Sequence, residues 1–162
     1  RWVEVANRDF ESRLRWCVAG KYEDANHKPV IAIPGGLEKT VKSGETVTLN
    51  ADITEPDSLD IDGIWAKYSA LYEQLGFNKE SFVEIAPQRY PKYNAYWWQY
   101  KEAGTYNGYI DIVAVDSGKS TFVAPKVDKP ETLHLILEVT DTGIPALTTF
   151  ARVIVTIFPT DK

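Results

Sequence analysis

The stretch Tyr96-Trp97-Trp98-Gln99-Tyr100 is the densest aromatic segment of the chain, with four aromatic residues in five positions. Aromatic residues favour strands, and each buries a large area against its neighbours. We interpret residues 93–100 as a central strand of a β-sandwich. Successive side chains on a strand point to opposite faces. We therefore expect Trp97 in the core and Trp98 on the outer face with the two tyrosines.

Length and charge exclude several classes of protein. The 162 residues suffice for one domain with a proper core, or for one domain with an appendage. The net charge of −5, from 18 basic and 23 acidic residues, argues against nucleic acid or an anionic membrane as a partner. No apolar run is long enough for a membrane-spanning helix. The single Cys17 excludes an internal disulfide and a multi-cysteine metal site.

The first eighteen residues have helical spacing. The apolar residues fall at steps of three or four and form one stripe: Trp2, Ala6, Phe10, Leu14 and Cys17. We expect this helix either to pack on the sandwich or to dock on a preceding domain. The chain begins within the helical pattern and contains no Met. We therefore expect it to be a piece of a longer protein, so that a missing signal peptide says nothing.

After Pro29 the apolar residues alternate with a period of two, which is typical of strands. Turn residues separate the segments. The predicted strands are residues 30–33, 40–41, 46–51, 93–100, 109–113, 121–123, 132–140 and 149–158. An acidic loop is predicted at residues 52–57. This pattern predicts an all-β fold, an Ig-like antiparallel β-sandwich with an N-terminal helix.

A helical insertion interrupts the strands at about residues 58–92. Its apolar residues follow a helical stripe: Ile61, Ile64, Trp65, Tyr68, Leu71, Tyr72 and Leu75. Asp60 is a candidate N-cap and Gly76 a candidate C-terminal residue. We expect a helix over residues 60–75 whose stripe faces the sandwich, followed by a loop over residues 77–92.

Three motifs resemble a known family. Asp9-Phe10-Glu11-Ser12-Arg13-Leu14-Arg15-Trp16-Cys17-Val18 resembles the helix that closes a nucleoside-hydrolase-like domain. The segments Trp97-Trp98-Gln99-Tyr100-Lys101-Glu102-Ala103-Gly104-Thr105-Tyr106 and Thr132-Leu133-His134-Leu135-Ile136-Leu137-Glu138-Val139-Thr140-Asp141-Thr142-Gly143-Ile144-Pro145 resemble the domain that follows it. The family comprises secreted bacterial proteins described as cellulose-binding, with an N-terminal nucleoside-hydrolase-like domain and a C-terminal Ig-like domain. The resemblance covers residues 2–57 and 93–158, and the insertion departs from it.

The resemblance implies a domain organisation and a role. Residues 1–26 would be a helix and linker from the hydrolase-like domain, and residues 27–162 the Ig-like sandwich. The fragment would be a non-catalytic accessory module of a secreted or periplasmic protein, binding cellulose or another polysaccharide. The alternative is a purely structural module that packs on its neighbour and shapes the active site of that glycosidic-bond hydrolase domain.

Catalytic residues are not assigned. His27 and His134 are the two histidines of the chain. His134 lies within an apolar strand, opposite in phase to Leu133 and Leu135, so a structural or surface role is favoured. No serine or cysteine has the sequence context of a nucleophile with a base.

Calcium is the one cofactor that the residues suggest. Asp52, Glu55 and Asp57 form an acidic loop, and Asp141 ends a later strand. Oxygen ligands from two loops at one end of a sandwich would suit Ca²⁺. The alternative is that these carboxylates form turns, because Glu-Pro-Asp is an ordinary turn sequence.

Carbohydrate is the other candidate ligand. Tyr96, Trp98 and Tyr100, with Tyr106 nearby, would offer aromatic faces on which sugar rings stack. Neighbouring polar groups such as Gln99 would bind the hydroxyls. The alternative is that these rings are covered by the insertion or by the N-terminal helix. A binding platform must be partly exposed and roughly planar, so the structure separates the two interpretations.

Overall fold

The computed structural model describes residues 2–57, 61–89 and 92–160, with residues 87–89 described by their backbone only. These ranges contain three α-helices and nine strands, so the chain is mostly β, which agrees broadly with the predicted all-β sandwich. The elements are α1 (Trp2–Val18), β1 (Val30–Ala32), β2 (Glu38–Lys42), β3 (Thr46–Asn50), β4 (Asp52–Thr54), α2 (Ile61–Gln74), α3 (Lys79–Arg89), β5 (Tyr93–Gln99), β6 (Val113–Ala114), β7 (Lys119–Val123), β8 (Glu131–Asp141) and β9 (Thr148–Phe158).

The strands form three sheets. One has four strands in the order β2-β9-β8-β5, another has three in the order β3-β7-β6, and β1 pairs with β4. The pairs β5–β8 and β8–β9 are antiparallel, whereas β2 runs parallel to β9. The strand β5 therefore lies at an edge of the four-stranded sheet, and the prediction of a central strand at residues 93–100 is wrong.

The core fills the space between the two larger sheets, as in a sandwich. Leu133, Leu135 and Leu137 of β8 and the inward residues of β9 face β3 and β7, and all belong to one buried cluster. Trp97 joins this cluster and is 7% exposed. Its indole Nε1 donates a hydrogen bond of 3.2 Å to the carbonyl oxygen of Gly118. The prediction that Trp97 faces the core is confirmed.

Two loop and strand predictions are wrong. In the segment 109–113 only Val113 lies in a strand, because the side chain of Gln99 bonds the backbone before it. Gln99 Nε2 donates to the carbonyl oxygen of Gly108 at 3.0 Å, and the Ile110 amide donates to Gln99 Oε1 at 3.2 Å. Conversely, the predicted acidic loop begins with a strand, β4, which pairs antiparallel with β1.

The insertion is helical, as predicted, but it contains two helices that pack on each other. Tyr72, Phe82 and Ala86 form a small core of their own, separate from the core of the sandwich. The prediction that the α2 stripe faces the sandwich is therefore wrong. The expected loop at residues 77–92 contains α3, which supplies an apolar partner only one tight turn away. The candidate cap Asp60 lies outside the described residues.

The signal for α3 lies at its start. The Ser81 amide donates to Asn78 Oδ1 at 2.8 Å, and the Asn78 amide donates to Ser81 Oγ at 3.0 Å. This reciprocal cap satisfies amides of the first turn that have no partner within the helix. Gly76, with φ of +85°, makes the turn between the helices. Pro87 falls near the end of α3, where the pattern had suggested a loop.

Helix α1 lies on the outer face of the four-stranded sheet. The side of the helix that is buried against the domain is not the side that the apolar stripe predicts. Ser12 is 1% exposed, whereas Phe10 and Leu14 are 64% and 54% exposed. Ser12 Oγ and Trp16 Nε1 donate to the carbonyl oxygen of Asn26, at 3.2 and 2.8 Å. Polar anchors, rather than the stripe, therefore set the orientation of α1.

Candidate functional site

The predicted aromatic face lies on the outward side of the edge strand β5. Tyr96 is 53% exposed, and Trp98 and Tyr100 are half-buried. Trp98 Nε1 donates to Glu138 Oε2 of the neighbouring strand at 3.2 Å. The structure thus brings three of the four predicted carbohydrate-binding residues onto one face.

Helix α1 covers part of this face through Trp2. The Trp2 ring lies 6.3 Å from Trp98, 6.4 Å from Tyr100 and 4.9 Å from Phe150, measured between ring centroids. Trp98 and Tyr100 meet at 74°. Two rings at that angle cannot both lie flat against one sugar chain, so this geometry favours packing for Trp98 and Tyr100, whereas Tyr96 is the most exposed of the three rings.

The remaining aromatic residues near the turn have other surroundings. Tyr106 packs against the core of the sandwich and its ring lies over Gly108. Tyr109 is 84% exposed, with Lys101 Nζ 3.8 Å from its ring centroid. The structure therefore does not bring Tyr106 together with the outward rings of β5.

The four carboxylates proposed for calcium are only partly brought together. Asp52 is exposed on β4, whereas Glu55, Asp57 and Asp141 are close enough for their charges to interact. Asp141 is 4% exposed and accepts hydrogen bonds from the amides of Gly143 and Leu147 and from Asn26 Nδ2. Within the described parts of the chain, no three His, Cys, Asp or Glu side chains form a group that could hold a metal ion.

These bonds favour turn formation over metal binding for Asp141. Asn26 also donates to the carbonyl oxygen of Pro145 at 2.8 Å, and its side chain occupies the place of a Cβ on Gly143. Any side chain at Gly143 would therefore displace Asn26. The hydrogen bonds from Asn26 to Asp141 and Pro145 therefore join the linker after α1 to the turn between β8 and β9.

Burial perturbs two of these carboxyl groups. Burial raises the pKa of Glu55, and the charges of Asp141 and Asp57 raise it further, whereas Lys92 and a backbone amide lower it. Glu55 Oε2 is buried without a hydrogen-bond partner. Burial also raises the pKa of Asp141, against the opposing effect of its three N–H donors.

A stack of three rings lies beside these carboxylates, and the sequence reasoning missed it. The His27 ring stacks on two aromatic rings. Its centroid lies 5.4 Å from that of Trp16, with an interplanar angle of 13°, and 3.6 Å from that of Tyr22, with an interplanar angle of 8°. His27 Nδ1 lies 3.1 Å from Asp57 Oδ1, and the His27 amide donates to Asp57 Oδ2 at 2.5 Å. Residue spacing offers no signal for this stack, because Trp16 lies on α1 whereas Tyr22 and His27 lie in the segment after it.

The outer ring of the stack borders a groove of about 1530 Å³. The groove lies between the end of α1, helix α2 and the turn after β8. Its lining includes Tyr22, Glu55, Asp57, Tyr68 and Lys92. Aromatic rings, carboxylates and lysines thus converge on one open space.

The second histidine, His134, has no such setting. It lies on β8 opposite Ile154. Burial lowers its pKa, and the charge of Arg152 lowers it further. Its Nδ1 is buried without a hydrogen-bond partner.

Comparisons with known proteins identify the family to which part of the chain is similar. A family model described as "Cellulose-binding protein Sde0182, C-terminal domain" matches residues 91–157. The resemblance expected from the sequence is confirmed by this match. No curated protein matches the chain significantly.

One of the solved structures that match this chain shows the same fold. A nucleoside hydrolase-related hypothetical protein from Saccharophagus degradans, associated with carbohydrate metabolism, matches 97% of this chain at 23% identity with a TM-score of 0.71. The match covers 32% of that protein, so this chain spans about a third of its length. A 2,6-sialyltransferase of Vibrionaceae Photobacterium sp. JT-ISH-224 matches 76% of this chain and 17% of its own at 13% identity, and its TM-score of 0.38 is too low to carry an argument.

No helix within the described residues is both long enough and apolar enough to cross a bilayer.

Proposed function

We propose that this domain is a non-catalytic accessory module of a secreted or periplasmic, carbohydrate-related protein, and that it packs through α1 on a nucleoside-hydrolase-like domain of the same chain. The match to a C-terminal domain of a cellulose-binding protein supports the accessory role. The related structure, about three times as long, supports the presence of a further domain. Residues 1–26 would connect the two domains.

The observation that carries this proposal is the exposed apolar stripe of α1. Phe10 is 64% exposed and Leu14 54%, and Val3, which lies beside the stripe, is 72% exposed. Ala6 and Cys17 are exposed on the same side of the helix. A contiguous apolar surface on a folded protein marks an interaction site more often than a scattered apolar residue does. A neighbouring domain on this stripe would remove it from water.

The opposite face of α1 is already fixed, so the stripe is held outward. Lys28 Nζ pairs with Asp9 Oδ1 at 2.5 Å, and the bonds from Ser12 and Trp16 to the Asn26 carbonyl add to this contact. A helix held by its polar face presents the stripe without further ordering, which lowers the entropic cost of docking.

Binding in trans tests the proposal. The hydrolase-like domain of the longer protein, expressed separately, should bind this domain, and Phe10→Asp with Leu14→Asp should weaken binding by about tenfold or more, because charges would be buried in an apolar contact. The thermal midpoint of the isolated variant should stay near that of the native domain, since both side chains are exposed. Glu11→Ala, on a different side of α1, is the control. Equal affinities for the double variant and the native domain would reject the docking role.

The Ig-like assignment of the sandwich belongs to the same proposal. Four strands in one main sheet and three in the other support it, since constant-type Ig domains divide their strands in this way.

Polysaccharide contact at β5 is a second candidate function, favoured by the exposure of Tyr96. An insoluble cellulose or xylan pulldown tests it. Tyr96→Ala should release the domain from the polysaccharide, whereas the control Tyr109→Ala, which removes a more exposed ring elsewhere, should not. Retention of the Tyr96 variant would leave β5 with a packing role only.

A further inference from the structure

We propose that the groove between α1, α2 and the turn after β8 binds a neutral carbohydrate chain, with a sugar ring stacked on the outer face of Tyr22. This inference rests on the carbohydrate association in the proposed function, and not on the docking of α1. The site is distinct from the aromatic face of β5.

The first argument is the geometry of Tyr22. One face of its ring lies against His27 at 3.6 Å between centroids, nearly parallel. The residue is still 63% exposed, and it lines the groove. A ring that is covered on one side and open on the other offers a flat apolar surface for the apolar face of a sugar.

The second argument is the rigidity of this ring. His27 is held on its other face by Trp16 and at its edge by Asp57. Asp57 is held in turn, because its amide donates to Glu55 Oε1 at 3.1 Å. A surface that is already ordered loses little conformational entropy when a ligand binds. The exposed Tyr109, by contrast, has a lysine ammonium over its ring rather than a stack of aromatic rings.

The third argument is the polar chemistry around Tyr22. Glu23 and Asp24, which follow Tyr22 in the chain, are exposed and line the groove. Carboxylates accept hydrogen bonds from hydroxyl groups, which are abundant on sugars. Lys92, which donates to the carbonyl oxygen of Asp57 at 3.0 Å, adds a donor at the same wall.

Charge selects among carbohydrates. Six acidic residues line the groove against three basic ones: Glu23, Asp24, Glu55, Asp57, Asp62 and Asp141, with Arg15, Lys67 and Lys92. This excess of negative charge repels a polyanionic glycan such as a uronic-acid chain. A neutral chain meets no such repulsion.

The opposite wall and the size of the groove favour an extended ligand. Tyr68 of α2 is 37% exposed and Val83 of α3 is 44% exposed, and both line the groove. Its volume of about 1530 Å³ exceeds the range of about 300–1,000 Å³ that suits a drug-sized molecule. A chain of several sugar units fits such an open groove better than a monosaccharide does.

Calorimetric titration of the 162-residue chain with cellohexaose, xylohexaose and oligogalacturonate tests the inference. At least one neutral hexasaccharide should bind, and the anionic oligomer should bind more weakly. Tyr22→Ala should raise Kd by about tenfold, the scale of losing one stacked ring, and Tyr22→Phe should keep the native Kd because the ring face is retained. Tyr68→Ala should raise Kd less. Tyr109→Ala is the matched control and should leave Kd unchanged.

Three outcomes would overturn the inference. These are an unchanged Kd for Tyr22→Ala, tighter binding of the anionic oligomer, and binding of none of the three. Retention of Tyr22→Ala on cellulose with loss of Tyr96→Ala would reject the groove and leave the carbohydrate role intact. If the native chain binds neither oligosaccharides nor cellulose, the carbohydrate role fails as well, while binding in trans still decides the docking of α1.

Discussion

Helix α1 and the hairpin of α2 and α3 flank the same sandwich, and they are attached to it in opposite ways. The hairpin buries its apolar residues in a core of its own. Helix α1 leaves most of its apolar stripe in water and is held by hydrogen bonds and by Trp2. The hairpin buries its apolar residues within itself, whereas α1 has an apolar face that remains exposed in this domain.

The difference shows that an apolar stripe on a helix does not by itself predict which surface will cover it. In the hairpin, α3 lies one turn away in the chain and offers an apolar surface first. After α1 comes only a three-residue 3₁₀ helix, Tyr22–Asp24, and the linker residue Asn26 fixes the polar side of α1 to the sandwich. We therefore infer that the hairpin is a self-contained unit and that α1 is one half of an interface.

The largest effect should come from damage to the sandwich that carries α1. Trp97→Ala should destabilise the domain by about 3–5 kcal/mol, because it empties a large buried site and removes the bond to Gly118. Chemical denaturation measures the loss. Trp98→Ala should cost clearly less, since Trp98 is half-buried. Similar losses for the two variants would contradict the assignment of the inner and outer faces.

Damage to the hairpin should stay local. Phe82 is fully buried in the small core, so Phe82→Ala should cost the hairpin about 3 kcal/mol, enough to unfold a unit of this size. Helical circular dichroism should fall, while the denaturation midpoint of the sandwich stays in place. Val83→Ala, on the exposed side of α3, is the control. A matching shift in the sandwich midpoint would mean that the hairpin and sandwich unfold together.

Release of α1 should need only one polar side chain. Asn26→Ala removes the donors to Asp141 and Pro145 and should cost about 2 kcal/mol, because Asp141 is left buried with one partner fewer. Hydrogen exchange in α1 should accelerate while exchange in β8 stays slow. Asn94→Ala, exposed on β5, should change neither. Unchanged exchange in α1 would show that other contacts hold the helix.

The stability of the domain should also depend on pH through Glu55. Because the folded pKa of Glu55 is raised, its contribution to stability is fully present below the ordinary glutamate pKa and is lost as pH rises through the folded pKa. Glu55→Gln should therefore match the native stability in acid and exceed it near pH 7, by less than about 1 kcal/mol. Denaturation across this pH range measures the difference. A variant less stable than the native domain at neutral pH would contradict the sign.

Calcium should have the smallest effect. Asp141 is already satisfied by three N–H donors, so millimolar Ca²⁺ should leave the melting temperature unchanged. A ligand that binds only the folded state would raise it. A calcium-dependent rise that a chelator reverses would restore Asp52, Glu55, Asp57 and Asp141 as candidate ligands.

Local patterns sufficed to predict much of the fold. The alternation of apolar and polar residues predicted β3, β8 and β9, and the helical spacing of apolar residues predicted α1 and α2. The alternating direction of side chains on a strand predicted that Trp97 faces the core. The structure of residues 52–54 and 109–113 depends on long-range partners, namely β1 and the Gln99 side chain, which no local pattern reveals. The helix α3 was missed because Pro87 outweighed the cap formed by Asn78 and Ser81.

The candidate site was harder to predict for the same reason. Tyr96, Trp98 and Tyr100 share a face because they alternate along one strand, and the sequence shows this directly. The stack of Trp16, His27 and Tyr22 joins a helix to its linker, and Asp57 reaches it from another strand end. Such an arrangement arises from tertiary packing, so residue spacing alone could not reveal it.

Labelling of Cys17 tests the central claim about α1 most directly. Cys17 lies on the exposed side of α1 and is the single cysteine of this chain. In the isolated domain a thiol reagent should modify Cys17 rapidly. When the hydrolase-like domain is added or fused, the rate at Cys17 should fall by about tenfold or more, since a docked surface excludes the reagent. An unchanged rate at Cys17 in the presence of that domain would contradict the account.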